Sequence, residues 1–228
     1  VHEDRNVYGY HSIAVPTQVA GMALAHERFA TKSWGDLITP AAELAAGGLP
    51  VNWFATLRIS AAAKELRQFG PSSEVYLEDG LAPTAVQGKT IPRRGMGNLS
   101  ATLKRLAEAG ARDFYEGALA EQLVADAAAG GSRIAADDLA AVEALERDPL
   151  EMEYNGASVF AAPGLTAGPT MFDVLGIING AITACDGSPT PESYKAYAAA
   201  LKSAYDQRLE TMGDADDTRD PACTTHLT

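Results

Sequence analysis

Cysteine and histidine are scarce in this 228-residue chain. The two cysteines, Cys185 and Cys223, cannot build the disulfide framework that stabilises many small secreted domains, and they leave the redox compartment undefined. The histidines are His2, His11, His26 and His226. They form none of the closely spaced ligand pairs that a structural zinc site requires, so we expect no metal site and no cofactor.

Basic residues and long apolar runs are also few. There are 18 Lys and Arg against 30 Asp and Glu, which gives a net charge of −12. Nucleic-acid binding needs Lys and Arg clustered against the phosphates, so this charge balance argues against it. No segment approaches the ~18 apolar residues that a membrane-spanning helix needs. The sequence also lacks the glycine patterns of phosphate-binding loops and the Gly-x-Ser-x-Gly turn of serine hydrolases.

Alanine, in contrast, is abundant: 43 residues are alanine, which has the highest helix propensity. Apolar residues three and four apart, capping residues at Ser33, Asn52, Asn98 and Thr190, and terminal glycines predict a series of helices. In the last helix the apolar stripe, which we interpret as core packing, consists of Tyr194, Tyr197, Leu201, Tyr205 and Leu209. The expected spans are 18–29, 33–46 with a restart after Pro40, 52–69, 98–109, 117–129, 136–145, from the loop 163–169 to about 182, and 190–213. No internal repeat occurs, and no change in composition marks a domain boundary.

The clearest strand signal lies in a single place. The runs 150–154 and 157–162 flank Asn155-Gly156, and an Asn-Gly pair between extended runs strongly predicts a β-hairpin, because both turn residues need a positive φ. A short extended piece is also expected around 75–77, within a surface excursion over 71–97. The predicted fold class is therefore helix-rich α+β, with a hairpin near 150–162.

An acidic segment precedes a threonine pair. Its aspartates are Asp214, Asp216, Asp217 and Asp220. They lack the glycine and the distal glutamate of a calcium loop, so a solvated linker is expected. Cys223-Thr224-Thr225-His226 follows. A threonine freed at a new N-terminus can act as a nucleophile with its own α-amino group as base, because the pKa of that amine lies near ~7.7–8.0. Cleavage in an exposed linker would free such a threonine here.

Several motifs occur in one order along the chain. They are Val15-Pro16-Thr17-Gln18-Val19-Ala20-Gly21, Pro40-Ala41-Ala42-Glu43-Leu44-Ala45, Gly48-Leu49-Pro50-Val51, Gly110 with Phe114-Tyr115 and Gly117, Gly130-Gly131 with Asp138-Leu139, Tyr154 and Gly156 before Pro163, Arg208 to Gly213, and Thr224-Thr225-His226. Together they resemble the gamma-glutamyltransferase (gamma-glutamyltranspeptidase) family of N-terminal-nucleophile hydrolases nearly from end to end. Each motif alone is weak, but chance is a poor explanation for all of them at these spacings.

The resemblance implies a self-cleaving precursor, or zymogen, with a four-layer αββα sandwich fold. Residues 1–223 would be the later part of its large subunit and residues 224–228 the start of its small subunit. Cleavage would fall between Cys223 and Thr224, so that Thr224 becomes the catalytic nucleophile, with Thr225 and His226 as candidate supporting residues. The implied substrate is glutathione or another γ-glutamyl compound, and the acceptor is an amino acid, a peptide or water. The implied partner is the small-subunit part of the same precursor, and a homo-oligomer is left open.

The chain departs from the family pattern at Thr17, at Ala30 and in the loop 164–169, and these departures put the substrate preference in question. No substrate-binding residue is assigned. The arginines without a motif match are Arg5, Arg58, Arg93 and Arg94. Two alternatives stay open: a related amide acylase of the type that acts on β-lactam side chains, and a non-catalytic helical module used for association.

The family's large subunit begins before Val1 and its small subunit continues after Thr228. We therefore expect this chain by itself to be catalytically inactive and to associate through apolar surface that the remainder would cover. Family members occur in the periplasm, outside the cell and in the cytoplasm, so no compartment is assigned. The acidic, alanine-rich composition favours a bacterial source.

Overall fold

The computed structural model of the chain describes residues 6–84, 93–181 and 189–211, in two compact units, Val1–Leu145 and Glu146–Thr228. The elements of the first unit are α1 (Gln18–Phe29), α2 (Trp34–Gly47), β1 (Leu49–Pro50), α3 (Trp53–Ala61), α4 (Ala63–Leu66), α5 (Gly70–Tyr76), β2 (Arg93–Arg94), α6 (Leu99–Ala109), α7 (Asp113–Glu116), α8 (Ala118–Ala129) and α9 (Ala136–Ala140). Those of the second are β3 (Leu150–Tyr154), β4 (Ala157–Ala161), α10 (Gly168–Ala181) and α11 (Pro191–Thr211). The helix-rich α+β class is confirmed.

Within the described ranges, no helix is both long and apolar enough to span a membrane. The two-unit division was not predicted, because the sequence around residue 145 carries no linker-like composition.

Helix α2 starts where the sequence predicts it, but it does not restart at Pro40. The Ser33 hydroxyl accepts a hydrogen bond from the Asp36 N–H at 3.2 Å, so the predicted cap is confirmed. The helix then runs through exposed Pro40 without interruption. Packing against α6 offsets the lost backbone bond: the Trp34 indole donates to the Leu106 carbonyl and the Ser100 hydroxyl to the Ala42 carbonyl, both at 2.9 Å.

The segment 52–76 differs more from expectation. The side chain of Asn52 caps α3 as predicted, accepting from the Ala55 N–H at 2.9 Å, but α3 ends at Ala61 and α4 follows. Gly70 and Pro71 begin α5 instead of ending a helix, because proline at the first turn is pre-set for helical φ. The strand expected at 75–77 is therefore wrong.

The remaining predictions for the first unit hold in outline. Helices α1, α6 and α8 lie at or within one residue of their predicted ends, whereas α9 stops at Ala140, short of the predicted 145. Helix α7 and the antiparallel pair β1–β2 were not anticipated. Asn98 precedes α6, but its side chain makes no capping bond.

One core cluster of this unit lies around α7, α8 and α9, and its buried side chains are Tyr115, Ala120, Ile134, Leu139 and Val142. A second cluster, around α3 to α5, consists of Ile59, Ala63 and Leu77.

The second unit contains the predicted hairpin. Strands β3 and β4 pair antiparallel with Tyr154 opposite Ala157, and the turn residues Asn155 and Gly156 have φ values of 50° and 77°. Both lie in the left-handed region that the Asn-Gly signal requires. The sequence therefore predicted the position and the turn chemistry of the hairpin.

Helix α11 begins as predicted, but the Tyr/Leu stripe is not the face that it buries. Thr190 caps it, accepting from the Ser193 N–H at 3.2 Å. Ala200 and Ala204 are fully buried, whereas Tyr194 is 63% and Leu209 82% exposed. The interpretation of the Tyr/Leu stripe as core packing is thus wrong in this unit, because the small alanines provide the buried face of α11. The expected helix end at Gly213 lies outside the described residues.

Replacing Pro40 by Ala tests the account of α2. Ala restores a backbone N–H donor inside the helix, which stabilises α2. Loss of proline also makes the unfolded chain more flexible, which opposes part of this gain. We therefore expect P40A to stabilise α2 by about 1–2 kcal/mol in total. Hydrogen exchange of peptides from 34–47 measures this as increased protection. P71A is the matched control, because Pro71 lies in the first turn of α5 and its loss should not increase protection there. Reduced protection of α2 in P40A would contradict the account.

Candidate functional site

The predicted catalytic segment falls outside the described residues. This applies to Cys223, Thr224, Thr225 and His226, and also to the aspartates of the acidic linker. The structure does describe the part of the second unit that precedes this segment in sequence, and most motif residues of the first unit.

Arg208 joins the last turn of α11 to the start of α10. Its Nη1 donates to the Thr166 carbonyl at 2.7 Å and lies 3.1 Å from Oγ1 of Thr170, which is buried. Arg208 opens the Arg208-to-Gly213 motif that the sequence resemblance identified. The structure therefore gives this motif arginine a specific contact between two helices.

Thr166, one of the two acceptors of Arg208, is held by hydrogen bonds of its own side chain. The Thr166 hydroxyl donates to the Ala162 carbonyl at 2.6 Å and accepts from the Gly168 N–H at 3.1 Å. A Cβ on Gly168 would overlap the Ala162 carbonyl oxygen, so only glycine fits at this close approach. The loop 164–169, where the chain departs from the family pattern, is thus held by its own hydrogen bonds.

A cavity of about 480 Å³ lies beside Arg208. It is lined by Leu165, Thr166, Ala167, Thr170, Met171, Val174, Leu175, Leu201, Tyr205 and Arg208. Mostly apolar walls with a few polar groups and one cation, at this volume, are typical of pockets that hold small organic molecules. No sequence motif singled out the cavity, because its walls come from the loop and helix faces that only the fold brings together.

In the first unit, the motif from Gly110 to Gly117 is built around Asp113. Arg105 donates to both carboxylate oxygens of Asp113, from Nε at 3.0 Å and from Nη2 at 2.6 Å. The same oxygens accept from the N–H groups of Ala118 and Leu119, at 3.3 and 3.4 Å, and so cap the start of α8. A Cβ on Gly117 would overlap the carboxylate, which explains the glycine.

The neighbouring motif residues also have structural roles. The Tyr115 side chain is buried, and its hydroxyl accepts from the Ala20 N–H of α1 at 2.9 Å. A Cβ on Gly130 would overlap the Tyr10 ring, and Gly131 has a φ of +87°. Asp138 accepts from the Ala135 N–H at 2.9 Å at the start of α9. Packing and capping thus account for Tyr115, Gly130, Gly131 and Asp138 of the family pattern.

One of the arginines without a motif match, Arg94, has a structural role. Arg94 donates to the carbonyls of Leu77 at 2.5 Å, Glu74 at 2.8 Å and Val75 at 3.4 Å, and so satisfies the C-terminal end of α5. Sequence reasoning missed this role, because these partners lie 17–20 residues away. Arg5 lies outside the described residues.

His26 takes part in local packing. His26 Nε2 lies 2.9 Å from the Lys32 carbonyl, and its ring meets that of Trp34 edge-on at 5.4 Å. Over the described part of the chain, no group of three or more His, Cys, Asp or Glu side chains is placed to hold a metal ion.

Known structures share this fold. A crystal structure of Helicobacter pylori gamma-glutamyltranspeptidase matches with a TM-score of 0.85 at 23% identity, over 100% of this chain and 68% of that chain. A cephalosporin acylase from Bacillus halodurans matches with a TM-score of 0.78 at 20% identity, over 96% of this chain and 42% of that one. At these identities the likeness establishes that the chain shares the fold of these proteins.

Sequence comparison is more specific. The profile of the family described as Gamma-glutamyltranspeptidase matches residues 1–228, and the chain belongs to that family. The Glutathione hydrolase proenzyme of Escherichia coli (strain K12) is 30% identical over 205 residues, which is 88% of this chain and 34% of the relative. The chain spans about a third of the length of the curated relatives it matches.

The Asp113 cluster makes a prediction about pH. The hydrogen bond from Arg105, with smaller contributions from the Leu119 and Ala118 N–H groups, holds the pKa of the Asp113 carboxyl below its ordinary value despite the opposing effect of burial. A carboxyl with a lowered folded-state pKa contributes stability above its unfolded pKa of about 3.9 and loses it as the pH falls through the folded value. D113N should therefore lower the urea midpoint at pH 7, and the difference from wild type should shrink below about pH 4.

Fluorescence of Trp34 and Trp53, both in the first unit, follows this unfolding. E116Q is the control: Glu116 pairs with Arg112 on the surface, with both side chains about half exposed, so its loss should change the midpoint less. A D113N deficit that stays constant from pH 7 to pH 2.5 would contradict the assigned role.

Proposed function

We propose that this chain is part of a precursor that cleaves itself between Cys223 and Thr224, and that Thr224 then hydrolyses or transfers γ-glutamyl groups. The observation that carries the proposal is the family match over residues 1–228. The sequence Thr224-Thr225-His226 resembles the start of the family's small subunit, and this resemblance supports Thr224 as the nucleophile. Curated relatives with the name Glutathione hydrolase proenzyme support both the processing and the substrate class.

In this proposal, residues 1–223 belong to the large subunit and residues 224–228 begin the small subunit. The small-subunit part of the same precursor is the partner of this chain. No described residue is assigned to substrate binding, since the described motif residues are used in packing, capping and inter-helix contacts. The chemistry therefore centres on Thr224 and on groups contributed by the rest of the precursor.

Self-cleavage is an acyl shift followed by hydrolysis. The Thr224 hydroxyl oxygen attacks the Cys223 carbonyl carbon, the C–N bond breaks, and the hydroxyl proton passes to the departing nitrogen. The Cys223 acyl group is then an ester on Oγ of Thr224, and the nitrogen is a free α-amino group. Water opens the ester, giving a carboxylate on Cys223 and restoring the threonine hydroxyl.

The freed Thr224 is suited to the second reaction. Its α-amino group, with a pKa near ~7.7–8.0, is partly neutral at pH 7 and serves as the general base for its own hydroxyl. The hydroxyl attacks the γ-glutamyl amide carbon of glutathione or a related compound, and the amine leaves with the proton. The glutamyl ester is then attacked by water, which gives hydrolysis, or by the amine of an amino acid or peptide, which gives transfer.

The full-length precursor tests the cleavage step. Wild type should yield a new fragment whose N-terminal residue is Thr224, identified by intact mass and by N-terminal sequencing. T224A should remain uncleaved, and T224S, which keeps a hydroxyl, should cleave more slowly. T218A is a matched control in the linker and should cleave like wild type. An uncut wild-type precursor, or equal cleavage of T224A, would overturn the proposal.

The likeness to a cephalosporin acylase makes amide acylase activity the alternative to be tested. Such an enzyme would share Thr224 and the cleavage step but accept a different acyl group. Comparison of glutathione with glutaryl and aryl amides on the matured protein distinguishes the two, and we expect the γ-glutamyl compounds to be turned over faster. If the chain is instead a non-catalytic association module, the wild-type protein and T224A should both lack activity on all of these substrates.

A further inference from the structure

Helix α11 has two apolar faces, and the described residues cover one of them. Ala200 and Ala204 are fully buried, and α11 packs against α10. A second apolar row runs beside this face and consists of Tyr194, Tyr197, Leu201, Tyr205 and Leu209. A helix at the surface of a globular protein needs a single apolar stripe, which faces its core. The second row therefore indicates a second partner for α11.

This second row, the α11 stripe, is long and continuous. Its five members lie three or four residues apart, and from residue 194 to residue 209 they extend about 22 Å along the helix axis. All five side chains are exposed, and at the centre of the stripe Leu201 is 47% and Tyr205 56% exposed. Contiguous apolar surface of this kind marks a site of contact with another protein segment.

The cavity of about 480 Å³ borders the centre of this stripe. Leu201 and Tyr205 line it from α11, and Met171 and Val174 line it from α10. Because Met171, Leu201 and Tyr205 are themselves exposed, the cavity opens to solvent between the two helices. The residues that contribute most to a protein interface are anchors that fill pockets near its centre. The cavity is therefore suited to large apolar side chains of a partner segment.

Charged residues border the α11 stripe on the side away from the buried alanines. Lys195, Lys202 and Asp206 are exposed there, and Lys202 bonds Asp206 within the helix at 2.5 Å. An apolar centre beside a polar, solvated rim is the usual anatomy of a protein interface. The charged face thus limits the expected contact to the stripe and its cavity.

We infer that the α11 stripe and its cavity are the docking surface for the small-subunit part of the same precursor. This inference rests on the proposed function, which supplies that partner. The chain spans about a third of the length of the curated relatives it matches, so about two thirds of each relative lies outside the match. That remainder is large enough to provide the second partner that α11 requires.

The charge and the covalent connection favour this occupant over a second copy of the chain. Two copies with a net charge of −12 each repel one another. The small-subunit part, in contrast, would begin at Thr224, thirteen residues after α11 ends at Thr211. A segment that starts so close on the same polypeptide has a high effective concentration at the stripe.

Photo-crosslinking in the full-length precursor tests which segment covers the stripe. Benzoylphenylalanine is incorporated in place of Tyr205 in one preparation and in place of Leu201 in another. After irradiation, mass spectrometry should identify crosslinks to peptides that follow residue 228. Ala199 is the matched control, because it is exposed beside the charged face of α11. Benzoylphenylalanine at that position should give roughly tenfold less crosslinked product.

A charged substitution gives a second, independent measurement. Y205D places a carboxylate where apolar contact is expected, and an unpaired charge is costly to bury. In the matured protein, Y205D should therefore lower the urea concentration at which the two subunits separate on gel filtration. A199D adds the same charge beside the charged face and should leave that concentration unchanged. If Y205D does not fold, the crosslinks decide.

Three results of the crosslinking would overturn the inference. They are crosslinks from the stripe to the same region of a second copy, equal product from the Ala199 position, and no crosslink to any peptide that follows residue 228. Equal urea concentrations for Y205D, A199D and wild type would contradict it as well.

The T224A precursor distinguishes this inference from the proposed function. Docking does not need cleavage, so uncleaved T224A should give the same crosslinks as wild type. A wild-type precursor that never cleaves but gives these crosslinks overturns the proposed function alone. A precursor that cleaves at Thr224 without giving them overturns the inference alone.

Discussion

The Asp113 carboxylate, on α7, bonds to both α6 and α8 of the first unit. It accepts a two-pronged bond from Arg105 of α6, and it caps α8 through two backbone N–H groups. This arrangement requires a residue without a side chain at Gly117. It also sets α7 so that the Tyr115 hydroxyl reaches the backbone of α1. The motif from Gly110 to Gly117 therefore holds four helices together, namely α1, α6, α7 and α8.

The second unit also combines a glycine at a close approach with an arginine that bonds to another element. Buried alanines at 200 and 204 form part of the inward face of α11, while its larger side chains stay exposed. Glycine at 168 allows the loop before α10 to approach the end of the hairpin. Arg208 then closes the arrangement with two hydrogen bonds. In both units, close backbone approach at a glycine is combined with one arginine that bonds across elements.

Structure that depends on residues near each other in sequence could be predicted, whereas contacts between residues far apart in sequence could not. The caps at Ser33, Asn52 and Thr190 depend on partners within three residues, so the starts of their helices were predicted correctly. The contacts of Arg94, in contrast, exist only after folding brings residues 17–20 apart together. For the candidate site, the family motif in the sequence predicts Thr224 as the nucleophile, but nothing in the sequence indicates the cavity beside Arg208.

The central claim is that Thr224 carries the glutamyl group during turnover. The direct measurement is peptide mass mapping of the matured enzyme, quenched in acid during reaction with a γ-glutamyl substrate, since an ester intermediate survives at low pH. The account predicts that the peptide beginning at Thr224 gains the mass of one glutamyl residue, and that T224A shows no such gain. A glutamyl group on any other residue, or active turnover without any acylated Thr224, would contradict the account.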